Sequence, residues 1–240
     1  MEELDFNIEL GFISKEFESR GDSSTVSAGV KDPGGTSYGS YQLSSTKGRV
    51  TDFLEHMKQK GGLAKQAAEE FEKIAKSELE QKDGILFDFG NKSATAAKWK
   101  EMSRNEKLDL DNLEFEYIKK THYDPALKHA EKLGFDIDND AIKEMIWSGS
   151  VQHKGINKIL NEAISKDPLK KETIEEQISN FYEKRKNYIE NLPDDKLPEE
   201  TKKNILSRYQ KEEEKVLNYN KSNKRILNSI LNLIEAITKI

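Results

Sequence analysis

Beyond its first fifty residues the chain runs in long stretches of Lys, Glu, Leu and Ile with few Gly and Pro, a texture that restricts it to a mainly helical fold. The apolar spacing predicts helices over Arg49–Lys60, Leu63–Gln81, Ala94–Met102, Asn105–Thr121, Asp124–Leu133, Asp138–Val151, Lys154–Ser165 and Lys171–Glu190. Ser93, Asp124 and Thr173 stand where capping residues are expected. An earlier stripe, Phe6, Leu10, Ile13 and Phe17, predicts an N-terminal helix with Gly21 as its stop.

Two stretches break this texture. From Gly21 to Ser45 the chain is rich in Gly, Ser, Thr and Asp, with Val26, Val30, Tyr38, Tyr41 and Leu43 between them. That is turn and short-strand chemistry, and Asp32-Pro33-Gly34-Gly35 is its clearest turn, so one small β-hairpin is expected. From Asn191 to Glu200 two prolines and several acids read as a linker or a sharp break between helices. The expected organisation is a main domain over 1–190, a linker over 191–200, and a helical C-terminal appendage over 201–240. The appendage is charged at first and then increasingly apolar, through Ile226, Leu227, Ile230, Leu231, Leu233, Ile234 and Ile237. It suits attachment or oligomerisation.

Composition removes several function classes. The 39 basic and 44 acidic residues are interleaved and leave a net charge of -5, which argues against a nucleic-acid partner. No cysteine is present, so disulfides and thiolate metal sites are excluded. Met1-Glu2-Glu3-Leu4-Asp5 is acidic and no apolar run follows it, so no signal peptide is readable. No stretch approaches the roughly 18 apolar residues of a membrane span, and stable membrane insertion is not expected. The expectation is a chain made in the cytoplasm and carried elsewhere by another device.

The stretch richest in chemistry is Phe17-Glu18-Ser19-Arg20-Gly21 followed by the hairpin from Asp32 to Gln42. Glu18 falls at the end of the N-terminal helix, beside the apolar stripe. Dehydration there and the negative end of the helix dipole both favour its protonated form, as a general acid requires. Asp32 is the only acid in the hairpin and the candidate for activating water, with Asp22 as the nearer alternative. Thr36 and Ser37 are placed to hold that water. Tyr38, Tyr41 and Gln42 offer aromatic and amide surfaces suited to acetylated amino sugars, and the two tyrosines point to opposite faces in a strand. In the segment Trp147 to His153, Trp147 reads as core, while Gln152 and His153 read as structural or substrate-contacting residues rather than metal ligands. Arg185 reads as an internal salt-bridge partner. Neither a metal nor an organic cofactor is expected.

Glu-Ser at a helix end, followed by Tyr-Gly-x-Tyr-Gln in a hairpin, resembles the active-site signature of the lysozyme superfamily, which includes goose-type lysozymes, lytic transglycosylases, phage lysozymes and chitosanases. The stretch from Val26 to Leu43 resembles the glycosidase modules of phage endolysins, tail-associated lysins and proteins related to secretion-spike components. Phe115-Glu116-Tyr117-Ile118, Thr121-His122-Tyr123-Asp124-Pro125, Trp147 to His153 and Phe181-Tyr182-Glu183-Lys184-Arg185 extend the resemblance over roughly residues 10–190. It implies a lysozyme-like helical domain with a saccharide cleft between two lobes, a β-hairpin at the active site and peptidoglycan glycan strands as partner. Glu18 would be the general acid for cleavage between N-acetylmuramic acid and N-acetylglucosamine, with Asp32 as base and inversion at the anomeric carbon. A lytic transglycosylase on the same bond is the alternative if no second carboxylate acts. A non-catalytic, wall-binding component of a phage tail or injection device is the alternative of another class. A holin, tail or secretion apparatus would deliver the chain to the wall, with 201–240 open to self-association or a delivery partner.

Overall fold

The computed structural model describes residues 10–15, 22–27, 34–81, 84–152, 155–165 and 171–238. In chain order its elements are α1 (Phe12–Lys15), β1 (Ser37–Tyr38), β2 (Leu43–Ser44), α2 (Arg49–Lys60), α3 (Gly62–Gln81), α4 (Ala94–Ser103), α5 (Leu110–Ile118), a π-helical segment (Lys119–Tyr123), α6 (Asp124–Leu133), α7 (Asp140–Gln152), α8 (Ile156–Ala163), α9 (Ile174–Glu190) and α10 (Glu199–Thr238). The fold is therefore mainly α with one small two-stranded sheet, as the texture of the sequence requires. Its packing divides into two units, Lys15–Thr121 and Met1–Ser14 together with His122–Ile240.

In the unit Lys15–Thr121, β1 and β2 pair antiparallel, with Ser37 opposite Ser44 and Tyr38 opposite Leu43. Val26 adds an isolated bridge to Tyr38. α2 buries Val50, Phe53, Leu54 and Met57, the three-and-four spacing of a single stripe. α3 turns a run of small residues, Ala64, Ala67, Ala68 and Ala75, inward around Phe71, which lets it pack closely on both α2 and α4. Ser93 caps α4 by accepting from the Ala96 N–H. The core is aromatic. Trp99 lies 5.2 Å from Tyr38, 5.5 Å from Phe71 and 5.9 Å from Phe53, centroid to centroid. Phe71 stacks on Phe87 at 5.5 Å, and the buried Trp99 Nε1 donates to the Ser23 carbonyl at 2.8 Å. Such ring pairs contribute about 0.5–1.5 kcal/mol each beyond the area they bury.

In the other unit, α7 is buried on most of its circumference, from Ala141 and Ile142 through Glu144 to Ser150, because beyond Lys143 it carries one charged residue, Glu144. It packs on α6, α9 and α10. Gly149 is a close-approach position: a methyl group there would overlap Ile156 and Phe181. Thr173 and Glu176 form a reciprocal capping box at the start of α9.

The linker expected over 191–200 is a short turn, and α10 starts at Glu199, directly after Pro198. Lys202 Nζ ties this turn to Asp194 at 2.7 Å. α10 is 40 residues long, about 60 Å at 1.5 Å per residue. Its first half carries Tyr209, Glu212, Val216 and Asn220 into the core against α7 and α9. The packing thus does not separate 201–240 as an appendage, because the stripe from Tyr209 to Asn220 completes the core. From Lys221 to Ile230 the side chains are mostly exposed. No helix among the described residues is long and apolar enough to cross a membrane.

Candidate functional site

The hairpin brings together Thr36, Ser37, Tyr38, Tyr41 and Gln42. Glu18, Asp32 and His153 lie outside the described residues. Thr36 is buried and wired to the segment around Asp88: its N–H and Oγ1 both donate to Asp88 Oδ1, at 2.6 and 2.8 Å, and Oγ1 accepts from the Gly90 N–H at 2.9 Å. The Ser37 N–H donates to Ser27 Oγ at 3.1 Å. Tyr38 is fully buried, and its hydroxyl donates to the Phe87 carbonyl at 2.6 Å. Burial, with Glu78 and Asp88 nearby, pushes that phenol well above its ordinary range. Tyr41 and Gln42 are half-buried. Gln42 adopts a left-handed conformation, φ 49°, and its Nε2 donates back to the Gly39 carbonyl at 3.0 Å, so the side chain closes its own turn.

Beneath this turn lies Glu114 of α5, wholly buried. Its Oε2 accepts from the Ser40 N–H at 2.8 Å, while Ser40 Oγ donates to Asp111 at 3.1 Å. Burial drives the Glu114 carboxyl well above the usual carboxylate range, against the lowering effect of the Ser40 and Tyr41 N–H groups; Asp111 adds to the rise. Gly39, at φ 77°, lies directly over the carboxyl group, and any side chain at this position would collide with it. Within the Tyr38-to-Gln42 segment one ring serves the core, one glycine the close approach, two N–H groups a buried acid, and one amide shuts the turn, while the Tyr41 ring is half-buried.

Gln152 belongs to the other unit, at the end of α7. Its Oε1 accepts from Arg185 Nη2 at 2.8 Å. Arg185, on α9, also donates to Ser148 Oγ at 3.2 Å and pairs with Glu212 of α10 at 3.3 Å, both partners of that ion pair being fully buried. The Tyr182 hydroxyl donates to the same Glu212 oxygen at 2.9 Å, and the guanidinium lies 4.0 Å from the Tyr209 ring. Burial alone would raise the Glu212 carboxyl, but Arg185, Ser148 and Arg208 hold it below its ordinary value. In the same unit Glu144 accepts from the Gly11 N–H and, at 3.2 Å, from the Ile13 N–H. Burial pushes the Glu144 carboxyl up to about 7. Among the described residues no three His, Asp or Glu side chains converge as metal ligands.

Glu114, Glu144 and Glu212 are the chemically notable groups that sequence reasoning passed over. One signal for the first two was available. Each is an acid inside a helix flanked by the turns of an apolar stripe, Leu113 and Tyr117 around Glu114, Ala141 and Met145 around Glu144. A carboxylate at such a position has to find donors.

The family described as "Type VI secretion system spike protein VgrG3-like, C-terminal" matches residues 10–213. The chain is also similar to the type VI secretion system spike protein VgrG3 of Vibrio cholerae serotype O1, with 28% identity over 162 residues, which is 65% of this chain and 14% of that longer protein. These findings overturn the assignment to the glycosidase modules of phage endolysins and tail-associated lysins, since the matched family is that of a secretion spike. The readings as N-acetylmuramidase or lytic transglycosylase, as a bacteriolytic hydrolase, and as a protein whose main partner is the peptidoglycan glycan strand are corrected with it. The physical source of the misreading is visible in the hairpin. Short runs of Tyr, Gly, Ser and Gln serve a tight turn over a buried acid as readily as they serve a sugar cleft.

Proposed function

Because the chain belongs to the VgrG3-like C-terminal family of type VI secretion spike proteins, we propose that it is a non-catalytic structural module of a secretion spike. It rides with the injection apparatus and associates with other components of that apparatus. The observation that carries this reading is the span of the family match, which takes in most of both packing units and ends within α10. The commitments of Thr36, Tyr38 and Gln152 agree with it, since their polar atoms are engaged in holding the fold together.

Two measurements test the proposal. A tagged form of the chain, expressed in bacteria with an intact secretion apparatus, should leave the cell and co-purify with apparatus components; disabling the apparatus should retain it. Purified chain should release no soluble fragments from peptidoglycan. Release by the wild type that Glu18→Gln abolishes would overturn the non-catalytic reading, and export that ignores the apparatus would overturn the structural one.

A further inference from the structure

Residues 225–235 of α10 read Arg-Ile-Leu-Asn-Ser-Ile-Leu-Asn-Leu-Ile-Glu, which nearly repeats itself when read backward about Ile230. Ile226 mirrors Ile234, Leu227 mirrors Leu233 and Asn228 mirrors Asn232, while the outermost pair, Arg225 and Glu235, is opposite in charge. Ser229 against Leu231 is the one mismatch. The stretch lies on α10 beyond the buried stripe that ends at Asn220, and beyond the family match.

It is also exposed. Every side chain from Lys224 to Ile230 is open to solvent, and Ile226, Leu227 and Ile230 are 60, 57 and 48% exposed. Ile234 is half exposed. Positions 226, 230 and 234 recur every four residues and lie on one helix face, joined by 227. With Ile226, Leu227, Ile230 and Ile234 turned toward water on a continuous helix, this face is suited to a partner that covers it.

We propose that this partner is the same segment of a second copy of the chain, running antiparallel about a two-fold axis at Ile230. A two-fold interface is self-complementary, so each contact i to j occurs twice. With the axis at Ile230, the register sets position 226 of one copy opposite 234 of the other, and 227 opposite 233. It also sets 225 opposite 235, which pairs Arg with Glu at both ends. A parallel pair would instead set the Lys224 and Arg225 cluster of one copy against the same cluster of the other, a like-charge arrangement that α-helical pairs avoid. The apolar spacing at 227, 230, 234 and 237 alternates three and four, the seam of two helices that wrap on one another.

The absence of cysteine makes the register directly testable in the full chain. Under mild oxidation Ile230→Cys should form a disulfide-linked dimer by itself. Ile226→Cys and Ile234→Cys should each remain monomeric alone and cross-link when mixed. Self-cross-linking of both 226 and 234 would establish a parallel pair and overturn the proposal, as would cross-linking at none of the three. In sedimentation equilibrium, Arg225→Glu or Glu235→Arg should weaken the dimer roughly tenfold, and the double variant should restore it. A chain that stays monomeric at high protein concentration, or a double variant no better than the singles, would also overturn it. Arg225, Ile226, Ile230 and Ile234 are exposed, so the cores around Trp99 and Trp147 should stay intact in every variant, read by tryptophan fluorescence.

Discussion

Replacing Glu144 by Gln should remove a pH dependence from the unit that contains it, so that the variant gains on the wild type between pH 5 and pH 8. Glu144 is 3% exposed, and burial, reinforced by Glu212 and Asp140, outweighs the two N–H groups of Gly11 and Ile13 and raises its carboxyl from 4.5 to about 7. The folded chain therefore holds a proton there that the unfolded chain releases. For a group shifted this way, its contribution to stability is complete below the unfolded value and is lost as pH rises through the folded one. Between pH 5 and pH 8 the loss works out at about 2.5 kcal/mol. Gln carries no charge and has nothing to titrate, and its amide nitrogen, which cannot accept from Gly11 or Ile13 as the second oxygen of the acid does, costs the same at every pH. Urea unfolding followed by the fluorescence of Trp147, with Trp99→Phe in both proteins to isolate the signal, reads the difference. Other titrating groups are common to both proteins and cancel. Parallel stability curves for the two, or a Gln variant that loses ground as pH rises, would show that the folded chain holds no such proton on Glu144.

Other expectations follow from the same accounting of buried groups. Arg185→Met should cost about 3 kcal/mol, because it takes the nearer cation from the buried Glu212 carboxylate and leaves Arg208 at 3.6 Å, whereas adding Glu212→Leu should recover most of that loss in thermal melts. Gly39→Ala should cost about 1–3 kcal/mol, through its left-handed backbone and the collision with Glu114, measured by chemical denaturation. Thr173→Ala should remove the hydroxyl half of the capping box, leaving the 173 N–H on Glu176, and cost about 1 kcal/mol, seen as faster amide exchange in the first turn of α9.

The helices were legible because each carries its own periodic stripe. The expected Arg49–Lys60 and Asp124–Leu133 coincide with α2 and α6, and most others differ by a few residues at their ends. The expected helix over Asn105–Thr121 is shorter as α5, since Asp109 takes a left-handed conformation and accepts from the Asn112 N–H, starting the helix late. The presence of a hairpin was legible from composition, but the turn that closes it is Gly39 to Gln42, between Ser37–Tyr38 and Leu43–Ser44, rather than Asp32 to Gly35, whose first two residues lie outside the described ones. What was not legible is where polar groups go once the chain closes. Asp88 and Glu114 reach the hairpin from 52 and 74 positions away, and no local pattern announces such partners. The same holds for the division of α10. Two prolines suggested a boundary near 191–200, but whether a helix after a turn packs on its neighbour depends on Tyr209, Glu212 and Val216 meeting α7 and α9.

The way α10 is anchored has a mechanical meaning. Its buried stripe runs along the helix from Tyr209 to Asn220, with the Arg185 and Glu212 pair one turn after Tyr209. A load drawn along the helix axis from its distal end has to shear every one of those contacts at once. A load applied across the axis peels them in turn, Asn220 first, and reaches the ion pair only after Val216 has let go. The same set of contacts is thus strong under tension along α10 and weak under a sideways pull, so the direction in which a partner tugs on residues beyond 221 matters as much as how tightly it binds.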